Sequence, residues 1–252
     1  NAPNMIEVNN ISKTFGDQKV LDDITTCFEK GKTNLIIGQS GSGKTVLMKC
    51  CIGLIDVDEG EVNFDGRCFS GLKEKKKKET RKEMGVLFQG GALFDSFTVE
   101  ENIMFPLNMF TKTSYKEKLE RVNDVLSHVN LSNVNEKFPA ELSGGMIKRV
   151  AIARAIAMNP KYLFCDEPNS GLDPKTAELI DELISELTHK FQMTTVINTH
   201  DMNSVLQIGE KIAFIKEGKL WWEGDNKQIL TTNNKELNEF VFSTELTRRI
   251  KR

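Results

Sequence analysis

The sequence predicts an α/β fold with three parts: a parallel sheet core, an antiparallel β subdomain toward the N-terminus, and a helical subdomain inserted between core strands. Three observations carry this prediction. Short runs dominated by apolar or β-branched residues at 33–37, 85–88, 162–165 and 194–199 read as buried strands, since a strand covered on both faces loses polar alternation. Each run ends in a glycine or polar stretch, at Gly38, Gln89, Asp166-Glu167 and His200, as in parallel sheets that carry a ligand at the carboxyl edge of their strands. Residues from about 92 to 158 hold helical patterns only, which places a helical insertion between two of the strands.

At 252 residues the chain is long enough for a substantial core, as one large domain or two small ones. Its apolar content of 39% and charged content of 28% are those of a globular protein. A formal charge of −2 gives no electrostatic reason to expect nucleic acid as a partner. No apolar run approaches the roughly 20 residues of a membrane span. The opening Asn1-Ala2-Pro3-Asn4 is polar and lacks the apolar region of a secretory leader, and Asn1-Ala2 reads as a remnant of expression. Cys27, Cys50, Cys51, Cys68 and Cys165 are odd in number and show no C-x-x-C spacing, which argues against a zinc site or a disulfide framework and for reduced thiols in a cytosol.

Taken in order, Ile6-Glu7-Val8 and Val20-Leu21-Asp22-Asp23-Ile24 read as strands around a turn at Gly16-Asp17. Phe15 stands beside that turn, either as a lid on the core or as a platform for a nucleotide base. The apolar run at 33–37 leads into Gly38-Gln39-Ser40-Gly41-Ser42-Gly43-Lys44-Thr45, and Val46 continues into a helix. Gly60 to Gly66 forms a short alternating strand closed by a turn. The basic run 72–82 is interleaved with Glu74 and Glu79 and followed by Glu83; it reads as a solvated helix face rather than an anion-binding patch.

After Gln89 comes Gly90-Gly91-Ala92-Leu93-Phe94-Asp95-Ser96-Phe97-Thr98-Val99, unusually apolar for a loop and therefore a satellite core or a docking site. A short helix from Glu100 is expected to stop at Pro106. Ser114-Tyr115-Lys116-Glu117 is a capping box opening a helix through Val129, and Ser143-Gly144-Gly145-Met146 precedes another over 147–158. Asp173-Pro174 supplies the cap and first position of a helix to about Lys190. A hairpin turns at Glu217-Gly218, and 235–252 reads as a helical tail with a basic end and with Leu237, Phe240, Val241 and Leu246 on one side.

The stretch from Gly38 to Thr45 fits the P-loop pattern G-x-x-x-x-G-K-[ST] in its required context of strand, loop and helix, which predicts a P-loop NTPase with a RecA-like sheet. Glycines at 38, 41 and 43 let several N–H groups converge on one anion at the positive end of a helix. Lys44 then reaches the β/γ-phosphates and the Thr45 hydroxyl holds Mg²⁺. An ordinary glycine-rich turn is the competing reading, and the flanking strand and helix disfavour it. Asp166 at a strand end fits the Walker B role at the metal, and the adjacent Glu167 can orient or deprotonate an attacking water.

With these motifs in place, the chain resembles the ATP-binding subunits of ABC transporters over essentially its whole length. The telling match is Leu142-Ser143-Gly144-Gly145-Met146, the family's signature motif, lying between P-loop and Walker B. Gln89 matches the Q-loop, Ser170-Gly171-Leu172-Asp173 the D-loop and His200 the H-loop. The resemblance implies that Phe15 stacks on adenine and that Gly38 to Val46 cradles the phosphates. Gln89 would meet Mg²⁺ together with Thr45 and Asp166. Glu167 would be the general base, with His200 and Gln89 completing the catalytic set. Ser143, Gly144 and Gly145 would reach ATP held by a second copy, and Asp173 would link the two sites across the dimer. It also implies a single nucleotide-binding domain: 1–91 and 159–230 as ATP-binding core with the β subdomain, 92–158 as helical subdomain, and 231–252 as C-terminal tail.

The segment 87–102 followed by Pro106-Leu107 resembles the lipid-asymmetry (Mla/Mkl) ATPases, and Met146 and Gly171-Leu172-Asp173-Pro174 point the same way; Asn169-Ser170 depart from that group. The implied partners are an integral-membrane permease and an MCE-type substrate-binding protein. The implied cargo is phospholipid or a related lipid in a bacterium, and the implied location is the cytoplasmic face of the cell membrane. Leu93, Phe94, Phe97, Met104 and Phe105 would then grip the permease. The alternatives are an amino-acid, metal or lipoprotein transporter, or a non-transport switch such as a cell-division ATPase. P-loop and Walker B about 120 residues apart without a heptad run argue against a DNA-repair type, and a single cassette argues against a ribosome-associated one.

Overall fold

The computed structural model describes residues 5–242. Strands β1 (Ile6–Phe15) and β2 (Gln18–Phe28) pair antiparallel and run well beyond the two short strands expected. Register shifts between Val8 and Ile11 and again to Lys13 break the period of two, and Asn10 takes a positive φ of 51° there. Those bulges hide the strand from a reading based on alternation. Phe15 consequently ends a strand instead of sitting in a loop.

The next elements alternate between a buried sheet and its covers. β3 (Thr33–Ile37) is buried at every residue and feeds helix α1 (Lys44–Cys51). β4 (Glu59–Phe64) and β5 (Arg67–Cys68) complete an antiparallel sheet of order β2-β1-β4-β5. Ile6, Val8, Ile11, Leu21, Ile24 and Val62 from that sheet pack with Leu47, Met48 and Cys51 of α1. Phe64 anchors the seam, with ring centroids 4.7 Å from Tyr162 and 6.5 Å from Phe164. Burying each aliphatic side chain of this kind is worth about 1.5–3 kcal/mol.

The basic run forms α2 (Glu74–Arg81), largely solvated as expected, but two of its cations are tied down. Lys77 meets Asp56 at 2.7 Å, and Arg81 donates to the carbonyls of Ile52 and Gly53 at the end of the α1 segment. β6 (Met84–Leu87) then leads to α3 (Val99–Phe110), which runs through Pro106 instead of stopping there. Burial of Ile103, Met104 and Leu107 on either side of the proline outweighs its missing hydrogen bond. Helix α4 (Tyr115–His128) begins at the expected Ser114–Glu117 capping box. α5 (Gly144–Ile156) starts three residues earlier than its apolar pattern, because Ser143 caps it by accepting from the Met146 N–H at 3.3 Å.

β7 (Tyr162–Asp166), α6 (Pro174–Phe191) and β8 (Thr194–Thr199) follow, with Asp173 as the cap of α6. A short α7 (Met202–Ile208), too brief for periodicity to announce, separates β8 from the hairpin β9 (Lys211–Lys216) and β10 (Lys219–Gly224). α8 (Gln228–Thr231) and α9 (Lys235–Val241) end the described chain; Leu246 and the basic end of the expected tail lie outside the described residues. The main sheet has the order β10-β9-β3-β8-β7-β6, parallel except for β10. That order sets β3, β8 and β7 side by side. Residues distant in the sequence, just past Ile37, Asp166 and Thr199, therefore emerge together at one sheet edge.

Candidate active site

A cleft of about 700 Å³ opens at that edge, lined by Ser40, Gly41, Gly43, Lys44 and Thr45 from the loop and α1, and by Gln89, Glu167 and His200 from neighbouring strand ends. Gln18 and Val20 of β2, Gln39, Val46 and Phe240 of α9 complete the wall. The loop holds its shape through glycine. At Gly38 φ is 150°, and a Cβ there would stand 2.1 Å from the Ile215 carbonyl oxygen of β9. Gly43, at φ 105°, would place a Cβ 2.9 Å from the Val20 carbonyl.

The polar groups in the cleft are arranged for an anion. Lys44 is 7% exposed, and its Nζ donates to the carbonyls of Gly38 and Gln39 at 2.8 and 2.9 Å. Burial draws its pKa down, against the opposing pull of the Glu167 and Asp166 charges. The first N–H groups of α1 have no partner within the helix, and the buried Ser42 hydroxyl has none in the protein. An oxyanion in the loop would satisfy both.

Opposite the loop, the Thr45 hydroxyl lies 3.4 Å from Asp166 Oδ1, which also accepts from Asn198 Nδ2 at 3.1 Å. Asn198 is wholly buried on β8, and its backbone oxygen accepts from the Glu167 N–H. It thus fixes both acids, yet nothing in the apolar-run reading of β8 singled it out. Glu167 takes a positive φ of 48° and meets His200 Nδ1 at 2.8 Å through Oε1. Such backbone conformations are costly for a non-glycine residue and cluster at functional sites.

Other expected site residues lie outside this cleft. Ser143, Gly144 and Gly145 sit at the start of α5, where a Cβ on Gly144 or Gly145 would meet Leu172 or Thr176. Asp173 accepts from the Thr176 N–H at 3.1 Å, and the Thr176 hydrogen bond holds its carboxyl below the usual range. Phe15 is 46% exposed under the Lys13 ammonium, 5.5 Å from the ring centroid, and does not line the cleft; Phe240 does. The residues expected to grip a permease split between two roles: Met104 of α3 is buried core, whereas Phe94 of the loop and Phe105 of α3 line a separate groove of about 360 Å³ with Phe88, Phe110 and Arg154.

Among the described residues, no helix is long and apolar enough to cross a membrane, and no cluster of three or more His, Cys, Asp or Glu is placed to bind a metal by itself. Five thiols are free, and burial pushes the Cys50, Cys51 and Cys165 thiols upward, away from reactivity.

Residues 21–170 match the ABC transporter family. Relatives include the methionine import ATP-binding protein MetN of Clostridium tetani, 37% identical over 96% of this chain and 76% of that protein. The probable ribonucleotide transport ATP-binding protein mkl of Mycobacterium tuberculosis is 35% identical over 94% of this chain and 66% of its own length. Among solved structures, cbiO1 from Clostridium perfringens, part of the ABC transporter complex cbiONQ, superposes with a TM-score of 0.85 at 26% identity and covers 99% of this chain and 100% of its own. A dimeric ATP-binding cassette in a post-hydrolysis state with ADP and Pi gives a TM-score of 0.79 at 31% identity, covering 88% of this chain and 98% of its own. A strand-edge cleft built on a P-loop, a full set of ordered motifs and this breadth of similarity agree: the chain belongs to the ABC transporter family, as an ATP-binding subunit that hydrolyses ATP.

Proposed function

We propose that the chain works as one half of an ATP sandwich that drives a membrane-embedded permease. The observation that carries this reading is the division of the site. Lys44, Thr45, Gln89, Glu167 and His200 share one cleft, whereas Ser143, Gly144, Gly145 and Asp173 of the same chain lie outside it. A second copy, facing the first, supplies the missing half, as the dimeric form of the similar cassette supports. Residues 92–158 form the arm that presents the signature, and the core at 1–91 and 159–230 holds the phosphates.

Within the cleft, Gly38 to Val46 cradle the triphosphate, Lys44 exchanges its two carbonyl bonds for phosphate oxygens, and Ser42 gains the partner it lacks. Phe15 or Phe240 flanks the base. Thr45, Asp166 and Gln89 offer the hard oxygens suited to Mg²⁺, an ion that keeps several waters and is commonly held by one or two carboxylates together with phosphate oxygens. Bound there, it neutralises charge developing on the phosphates. Glu167 accepts the proton of the attacking water, and His200, held against it at 2.8 Å, keeps the carboxylate aimed and faces the γ-phosphate.

In this reading the groove of Phe94, Phe105 and Phe110 takes a helix of the permease, and the chain sits peripherally at the cytoplasmic membrane face; the exposed aromatic lining supports such a contact. We read the cargo as a lipid, with an MCE-type protein as third component, on the resemblance of 87–107 to the lipid-asymmetry (Mla/Mkl) ATPases; the similar mkl is itself described as a probable ribonucleotide transport protein. Methionine is the second reading, favoured by MetN relatives at 37% identity. Affinity purification from detergent-solubilised native membranes, with mass spectrometry, separates them. A permease with an MCE-domain protein supports lipid, a permease with an amino-acid-binding protein replaces it, and no membrane protein at all overturns the transport reading.

A further inference from the structure

Beneath the cleft, the loop that carries Glu167 and the helix that follows His200 are joined by three buried side chains. Asn169, Asp181 and Ser204 are 6%, 2% and 1% exposed. They come from separate elements: the loop after β7, the middle of α6, and α7. Ser204 Oγ donates to Asp181 Oδ2 at 2.6 Å, and Asn169 Nδ2 reaches the same oxygen at 3.1 Å and Ser204 Oγ at 2.8 Å. None of the three lines the ATP cleft. The other Asp181 oxygen has no partner in the protein, and the residue borders a cavity of about 710 Å³ shared with Leu172, Asp201 and Gln207.

A buried carboxylate is expensive, and apolar packing in its place is commonly neutral or better for stability. A carboxylate kept at such a point therefore calls for a role that packing cannot fill, namely fixing one arrangement of the groups it bonds. Those groups stand close to the chemistry. Asn169 lies two residues after Glu167, whose backbone is held in a left-handed conformation, and Ser204 lies four after His200. Glu167 and His200 meet at 2.8 Å, so any sliding of the loop against α7 would open that contact first.

We propose that Asn169, Asp181 and Ser204 form a positioning strut that sets the spacing of Glu167 and His200 for water attack on ATP. The proposal rests on the reading of those two residues as the hydrolytic pair. The strut acts through hydrogen bonds and not through charge: an asparagine at 181 can place its amide oxygen at the Oδ2 position, accept both bonds, and turn its NH₂ toward the cavity. A leucine fills the same volume and accepts neither.

The test compares Asp181→Leu, Asp181→Asn and the parent by steady-state ATPase kinetics, by nucleotide affinity, and by NMR of the histidine rings without nucleotide. The chain has only three histidines, so each ring can be followed separately. In Asp181→Leu, kcat falls at least tenfold while KM and ATP affinity stay within twofold, and the His200 ring resonances move while those of His128 do not. Asp181→Asn keeps kcat within twofold and leaves His200 in place. Should the leucine variant fail to fold, Ser204→Ala and Asn169→Ala carry the same expectation. Parent-like turnover with unmoved His200 resonances in Asp181→Leu overturns the strut. So does an asparagine variant as slow as the leucine one, or a fall in kcat matched by an equal loss of ATP affinity. Glu167→Gln is assayed alongside. Full activity there would overturn the assignment of the hydrolytic pair, and the His200 resonances of Asp181→Leu would still decide whether the strut holds that residue.

Discussion

Replacing Asp181 with asparagine should stabilise the protein at pH 8 and progressively less as the solution is acidified. Burial pushes this carboxyl from its ordinary 3.8 up to about 6; the Asp201 charge acts in the same direction, and the bonds from Ser204 and Asn169 oppose it. A raised carboxyl binds its proton more tightly in the folded state. Its stabilising contribution is therefore complete below 3.8 and lost as pH rises through about 6. A separation of about two pK units corresponds to about 3 kcal/mol over the whole range, of which about 1.5 kcal/mol falls between pH 5 and pH 8. Asparagine has no such dependence and retains both hydrogen bonds. Urea unfolding of parent and variant at the two pH values measures the effect, because titrating groups that do not interact with residue 181 cancel in the difference. The stability gap should move by about 1.5 kcal/mol in favour of asparagine on going from pH 5 to pH 8. A gap flat to within about 0.3 kcal/mol, or one moving toward aspartate, would show that the buried carboxylate is already compensated.

Further changes test the site itself. Glu167→Gln should bind ATP with near-parent affinity, hydrolyse it at least about 100-fold more slowly, and accumulate as an ATP-dependent dimer on size exclusion; an undiminished rate would remove Glu167 from its role. Lys44→Ala deletes the buried ammonium at the phosphate loop and should weaken ATP binding about tenfold or more by calorimetry, and unchanged affinity would refute the P-loop assignment. Gly38→Ala drives a Cβ into the Ile215 carbonyl at 2.1 Å. It should cost more than about 2 kcal/mol in urea unfolding, and a parent-like midpoint would mean that β9 yields easily.

The core was legible where burial writes an unambiguous pattern. β3, β7 and β8 lie within a residue of the apolar runs that announced them, because parallel strands buried on both faces tolerate little else. The Ser114 capping box marked α4 to the residue for the same local reason. What stayed hidden depends on partners remote in sequence. The bulges of β1 and β2 scramble alternation, and Pro106 is overruled by packing against α4 and α5. Among site residues, those with motif context stood out, but Asn198 and Asp181 did not. Each is a polar residue among other polar ones of its element, and only the sheet order and the α6–α7 contact reveal that it is buried and what it bonds.

A single short turn joins the cleft to the apolar groove. Gln89, in the cleft wall, is followed by Gly90, Gly91 and Ala92, all at positive φ, and then by Phe94 in the groove. Two of these three residues are glycines, for which positive φ carries no strain, so the shape of the turn depends on what holds it from outside. Arg154 of α5 clasps this turn, donating to the carbonyls of Gly91 and Ala92 at 2.8 and 2.9 Å with its guanidinium 5.9 Å from the Phe94 ring. The same helix begins at Ser143, the residue proposed to meet the ATP of the opposite copy. Helix α5 thus begins at the signature and touches both the turn after Gln89 and the groove. If two copies close around ATP as proposed and that closure shifts the groove, a helix seated in the groove would in turn bias the closure, because a coupling between two binding events is reciprocal.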